Sequence, residues 1–208
     1  MALAWLAAAV GGARAAEAGR NVLFFGDSLT AGYGLEEPAA QSYPALVGAR
    51  LGAAQLGWKV VNAGLSGETS SGGLRRIDWV LRQPVDVLFL ALGANDGLRG
   101  IPAGLTESNL AGIIAKVRAK NPAVAVVVAG MKMPSNMGPY AADFAAVYGK
   151  LRAADRSLVL LPFLLEGVAG EAGFNQADAI HPNAAGHRKM ADLVWGLLEP
   201  LLRARAAA

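Results

Sequence analysis

Five short runs rich in Val, Leu and Phe punctuate the chain: Asn21–Phe25, Lys59–Asn62, Asp86–Leu92, Val124–Ala129 and Ser157–Leu161. Within them apolar residues follow one another without alternation. A strand with one wet face alternates with a period of two, whereas a strand covered on both faces has no need to. The runs therefore read as strands of a parallel sheet buried on both sides. Between them the pattern changes to helical spacing. Tyr43–Leu56 carries Leu46, Val47, Arg50 and Leu51, and Ser71–Arg82 gathers Leu74, Ile77, Val80 and Leu81 on one side. Thr106–Lys120 reads as a helix capped by Thr106 and stopped before Asn121-Pro122. Tyr140–Ala154 is an Ala-rich helix, and Asn183–Arg205 is the closing one, which Pro200 is expected to kink or break. Strand and helix alternate throughout. That order predicts an α/β fold, a three-layer α/β/α sandwich with right-handed crossovers. With no internal repeat or linker, residues 20–208 read as a single domain.

The amino terminus stands apart. Residues 2–10, ALAWLAAAV, are apolar throughout, but a bilayer crossing takes about 20 residues. Ala13-Arg14-Ala15 follows, a small-x-small pattern of the kind signal peptidase cleaves. Residues 1–19 are read as a signal-peptide remnant, which predicts a periplasmic or secreted protein. The alternative is an Ala-rich extension on a cytoplasmic one.

Composition narrows the chemistry. The formal net charge is +3, and no Lys/Arg cluster is longer than two residues, so a nucleic-acid partner is not expected. There is no cysteine, which removes disulfides, thiol catalysis and Cys-ligated metals together. His181 and His187 are the only imidazoles, and they are not at metal-helix spacing. The stretch GLSGETSSGG lacks the Gly-Lys-Ser/Thr of a phosphate loop, and no G-x-S-x-G elbow is present. No metal, no cofactor and no stable membrane insertion are predicted, and a monomer is favoured.

In open α/β sheets ligands bind beyond the carboxyl ends of the strands. Gly26-Asp27-Ser28-Leu29 follows the first run. Asn62-Ala63-Gly64-Leu65-Ser66-Gly67 follows the second, and Gly93-Ala94-Asn95-Asp96-Gly97 the third. Asp178-Ala179-Ile180-His181-Pro182-Asn183 precedes the last helix. Ser28, at a strand-to-helix break, is the candidate nucleophile. A serine hydroxyl is weak until a base takes its proton, and His181 is the candidate base. Asp178, three residues earlier, would fix the imidazole tautomer. The N–H groups of Ser28 and Gly64 and the Asn95 side-chain amide are the candidate oxyanion donors. Asp27 is read as holding the turn and Asp96 as bracing the Asn95 loop. His187 is read as a surface or half-buried residue, and Arg75-Arg76 as a solvated helix face.

These blocks resemble those of the SGNH hydrolases, also called GDSL lipases and esterases. Ser28, Gly64, Asn95 and His181 stand for the four letters. The segments GDSLTAGYG, NAGLSGETSSGGL, LGANDGLRG and DAIHPNAAGH are similar to the bacterial thioesterase, lysophospholipase and arylesterase branch of that family. The resemblance covers roughly residues 21–200. It implies a flavodoxin-like fold with strand order 2-1-3-4-5. It also implies hydrolysis of small-molecule acyl esters and thioesters (aryl esters, acyl-coenzyme A, lysophospholipids) without metal or cofactor. By the same resemblance, Leu92–Pro102 and Gly130–Tyr140 border the acyl groove, with Leu29, Gly93, Asp96, Ile180, Met133 and Pro134 as candidate substrate contacts. Met131, Met133 and Met137 would make the groove adaptable. A carbohydrate O-deacetylase on the same scaffold is the alternative, and a binding module without chemistry is the remote one.

Overall fold

The computed structural model describes residues 20–207. The segment read as a leader, residues 1–19, lies outside the described residues. Five parallel strands form one sheet: β1 (Arg20–Gly26), β2 (Trp58–Gly64), β3 (Val87–Ala91), β4 (Ala125–Ala129) and β5 (Val159–Leu161). Their order is β2-β1-β3-β4-β5. Every residue from Val22 to Phe25 and from Val87 to Leu90 is fully buried, as the unbroken apolar runs required. Successive side chains serve opposite faces. Phe24 packs edge-on against Tyr43, while Phe25 lies under the Arg76 guanidinium on the other side.

Five long helices cover the sheet: α3 (Tyr43–Ala53), α4 (Ser70–Val80), α6 (Ala103–Lys120), α7 (Pro139–Ala154) and α8 (Ala184–Ala206). In one layer α6 packs between α4 and α7; in the other α3 packs on α8. Three short α-helices, α1 (Ser28–Ala31), α2 (Pro38–Gln41) and α5 (Ala94–Leu98), are also present among the described residues. Gly26 pairs with Gly64 on one side and with Ala91 on the other. Strands β1, β2 and β3 therefore end level, and the loops that follow them emerge side by side. From β1 the chain steps outward to β2 and then crosses back to β3, so the Ser28 turn sits where the strand order reverses.

Three expectations need correction. Helix α6 starts at Ala103, and Thr106 is not its cap; it is buried, and its hydroxyl is directed to Asp96 Oδ1 at 3.3 Å. Pro200 does not break α8. The carbonyl it leaves unpaired belongs to Gly196, and both residues lie on the exposed face, where that carbonyl is open to solvent. Val194, Leu198 and Leu202 keep the opposite face docked. His187 is neither at the surface nor half-buried. It is 1% exposed, stacked parallel to Tyr43, and its Nδ1 accepts the Tyr43 N–H at 3.2 Å.

That position has a measurable consequence. Burial first, and the charge of His181 second, push His187 down from 6.5 to about 4. Between those values the unfolded chain holds a proton that the folded chain lacks, so this group's contribution to stability is lost as pH falls from 6.5 towards 4. Asp27 opposes it. Burial raises its carboxyl from 3.8 to about 7, so its contribution is lost as pH rises through that range. Comparing the wild type with His187→Asn isolates the first term. The margin between them should widen by about 3 kcal/mol from pH 4 to pH 7 in denaturant unfolding. A margin independent of pH would contradict a neutral buried imidazole.

Candidate active site

Gly26 sets the first turn. A Cβ there would lie 2.1 Å from Thr30 Oγ1 and 2.7 Å from the Ala91 carbonyl, so only glycine lets α1 fold back directly onto the strand end. Asp27 caps α1, its Oδ1 accepting the Leu29 N–H at 3.0 Å. Its other oxygen is buried without a hydrogen-bond partner, consistent with a carboxyl held near neutrality. Ser28 is the first residue of α1 and 9% exposed. Its N–H has no partner among the described residues.

The imidazole arrives from the far end of the chain. The β5–α8 connection is pinned by an isolated antiparallel bridge between Asn175 and Pro182, and by Gln176 N–H donating to the His181 carbonyl at 2.8 Å. Asn183 caps α8 by accepting the N–H groups of Ala185 and Gly186. Asp178 Oδ1 accepts the N–H groups of Ile180 and His181 at 2.9 and 3.0 Å, and Oδ2 lies 2.6 Å from His181 Nδ1. The hydrogen bond from the His181 ring, then the two backbone donors, hold Asp178 down to about 2. It is ionised at any working pH and can only accept. His181 Nδ1 must therefore carry the proton, which leaves the Nε2 lone pair facing Ser28 Oγ at 3.0 Å. Sequence reading missed two supports of this contact. The Tyr33 ring packs on the imidazole with centroids 4.7 Å apart, and Gln176 Nε2 donates to the Tyr33 carbonyl at 2.7 Å. Together they tie the histidine loop to the serine loop.

Asn95 lies in α5, whose cap Gly93 has φ +121°, a conformation glycine alone adopts freely. Asn95 Nδ2 donates one hydrogen to the Glu68 carbonyl at 3.0 Å, and its other hydrogen has no partner among the described residues. Behind it, the Asp96 carboxylate is buried and accepts the N–H and hydroxyl of Ser70 at 2.8 and 2.5 Å, as well as the Thr106 hydroxyl. Asp96 thus fastens the loop after β3 to the loop after β2.

Gly64 is a correction. Its N–H is donated to Asn62 Oδ1 at 2.9 Å, so it is not free for a ligand. Gly67, three residues on, has no hydrogen-bond partner for its N–H among the described residues, and it adjoins the Glu68 carbonyl that holds Asn95.

A cavity of about 500 Å³ opens beside the serine, lined by Ser28, Asn95 and His181 at one end. Leu29, Met133, Pro134 and Ile180 line the rest, joined by Leu98 and Met131 from the two segments expected to border the groove and by Phe163 and Leu165, which lie outside both segments. Gly93 and Asp96 do not line it. Gly93 is packed against the Tyr148 hydroxyl, and Asp96 is turned inward to Ser70 and Thr106.

A hydroxyl, an imidazole with a fixed tautomer, an ionised orienting carboxylate and unpaired N–H donors around an apolar cavity make an arrangement competent for acyl transfer. Comparison with known proteins agrees. The model of the GDSL-like Lipase/Acylhydrolase family matches residues 24–189. The chain is 40% identical over 187 residues to Esterase TesA of Pseudomonas aeruginosa, covering 89% of this chain and 90% of that one. It is 39% identical over 190 residues to Thioesterase 1/protease 1/lysophospholipase L1 of Escherichia coli K12, covering 90% and 87%. A crystal structure of TesA superposes with a TM-score of 0.82 at 39% identity, covering 88% of this chain and 99% of that one. The match runs from the middle of β1 into α8, the two elements whose flanking turns carry Ser28 and His181, and on this footing the chain belongs to the GDSL-like lipase/acylhydrolase family.

Proposed function

We propose that the protein hydrolyses carboxylic esters and thioesters through an acyl-enzyme on Ser28. The observation that carries this reading is the 3.0 Å contact between Ser28 Oγ and His181 Nε2, backed by Asp178 on the other ring nitrogen. Ser28 Oγ bonds to the substrate carbonyl carbon while its proton passes to His181 Nε2. The C–O or C–S bond then breaks, and the leaving alcohol or thiol takes that proton. Water, deprotonated by His181, attacks the acyl-serine; the acid departs and Ser28 regains its proton. Asp178 holds the ring and stabilises the imidazolium without becoming protonated itself.

The oxyanion is assigned three donors: the N–H of Ser28, the free hydrogen of Asn95 Nδ2 and the N–H of Gly67 in place of Gly64. Each such donor contributes about 10² to 10³ in kcat. The apolar cavity takes the acyl chain. Its aliphatic and thioether walls would give a sugar ring few hydrogen-bond partners, which favours acyl chains over the deacetylase alternative. The apolar residues 2–10 and the small-x-small motif after them support export.

A fluorophosphonate tests the reading directly. The probe is expected to add irreversibly to the Ser28-containing peptide, with loss of esterase activity in step with the mass increase. The adduct should be missing from Ser28→Ala. No adduct on folded wild-type protein, or an adduct at another serine, would overturn the assignment.

A further inference from the structure

A second cleft, about 510 Å³, lies across α5 from the acyl cavity, and the mechanism above does not use it. Leu65, Gly67, Glu68, Arg75, Arg76 and Arg99 are the residues that matter in its lining. Two consecutive residues at the end of α5 divide the space: Leu98 lines the acyl cavity and Arg99 lines this cleft. Gly67 and Glu68 form its near wall, and the Glu68 carbonyl is the one that holds Asn95. Of the three assigned oxyanion donors, Ser28 and Asn95 thus line the acyl cavity and Gly67 lines this cleft.

The charges of this cleft do not cancel. Arg76 is not the solvated residue its sequence pattern implied. Its Nε reaches Glu68 Oε1 at 2.9 Å, its Nη2 pairs with Oε2 and donates to the Ala63 carbonyl, and its plane covers Phe25. Glu68, 7% exposed, is fully engaged by that pair. Arg75 has only the Ser71 hydroxyl at 2.8 Å, and Arg99 only the Gly67 carbonyl at 3.1 Å. Neither comes within 4.0 Å of a carboxylate among the described residues. Two exposed guanidiniums without counter-charge thus flank one cleft, each offering a planar fork suited to phosphate oxygens. Leu65, half-exposed at 49%, supplies an apolar floor beside them.

We infer that this cleft binds an organic phosphate carried by the leaving group of the substrate, with Arg75 and Arg99 as its ligands. The inference rests on the acyl-enzyme reading. The apolar cavity holds the acyl chain, so the polar remainder of an ester or thioester lies outside it, and this cleft, whose Glu68 carbonyl holds Asn95, offers that remainder two cations without a paired carboxylate. A phosphoester of a thiol carrier and the headgroup of a lysophospholipid share the chemistry. Arg75 and Arg99 act on binding of the leaving group and not on the acyl transfer itself.

The test compares matched substrates with one acyl chain: octanoyl-coenzyme A against octanoyl-pantetheine, and octanoyl-glycerol 3-phosphate against mono-octanoylglycerol. At low salt the phosphate-bearing member of at least one pair should have kcat/KM about tenfold higher, carried by KM. That ratio should shrink towards one at about 0.5 M salt. It should also shrink in Arg75→Gln and further in Arg75→Gln/Arg99→Gln. The pair that shows the preference identifies the phosphate source. A ratio near one for both pairs, or a ratio that neither salt nor the substitutions change, would overturn the proposal. Hydrolysis of p-nitrophenyl octanoate, which carries no phosphate, reports the underlying reading separately: wild-type protein inert on it would sink the hydrolase assignment, whereas turnover of it with no phosphate preference sinks only the cleft.

Discussion

Ser28→Ala and His181→Ala are each expected to lower kcat by about 10⁵- to 10⁶-fold, and the double variant no further. The equality follows from the geometry. A hydroxyl with no base keeps its proton, and a base with no hydroxyl has nothing to activate, so removing either ends the same step. The single contact between His181 Nε2 and Ser28 Oγ at 3.0 Å carries both roles. What survives should be the about 10³-fold advantage over water that bound substrate retains from the oxyanion donors alone. Single-turnover measurements on an aryl ester, with active-site titration to exclude contaminating wild type, would read this out. If the two losses multiplied in the double variant, nucleophile and base would be acting independently and the assignment would be wrong.

Asp178→Asn is expected to lower kcat by about 10⁴ with little change in the fold. Oδ1 of Asp178 already accepts two backbone N–H groups, from Ile180 and His181. An asparagine must therefore put its oxygen there to keep the turn, which aims its NH₂ group at His181 Nδ1. Two donors cannot face each other. The ring would lose its Nδ1 proton and carry one on Nε2, where it can no longer accept the Ser28 hydroxyl proton. The midpoint of thermal unfolding should stay close to wild type while fluorophosphonate labelling slows in parallel with kcat. A loss smaller than about tenfold would mean that another group sets the tautomer.

The fold was legible because its strands are buried on both faces. Val22–Phe25 and Val87–Leu90 have no solvent side, so their sequences carry no polar interruptions. Boundaries were less legible where a side chain had a tertiary use. Thr106 has the chemistry of a cap, but the buried Asp96 competes for its hydroxyl, and the helix extends past it to Ala103. Pro200 reads as a breaker until Gly196 is seen on the same exposed face. The contact of Asp178 and Ser28 with His181 was legible because only two histidines exist and one follows an aspartate at turn spacing. That the Gly64 N–H is already engaged was not legible. It depends on Asn62 folding back onto the Gly64 N–H while its amide reaches the Thr30 carbonyl at 2.9 Å, a bridge between strand and helix that no local pattern encodes. Tyr33 and Gln176 were invisible for the same reason: their value lies in a contact between loops 143 residues apart.

Ser28 and His181, in contact in the folded protein, are separated by 153 residues of chain. During synthesis the ribosome delivers Ser28 early and His181 only after all five strands have been made. On the proposed mechanism a growing polypeptide carries a serine without its base, and hydrolytic power waits for the last connection to bring His181 to it. Nascent chains halted before residue 181 should resist fluorophosphonate even where β1 to β4 have already paired, so the acquisition of labelling marks the completion of folding.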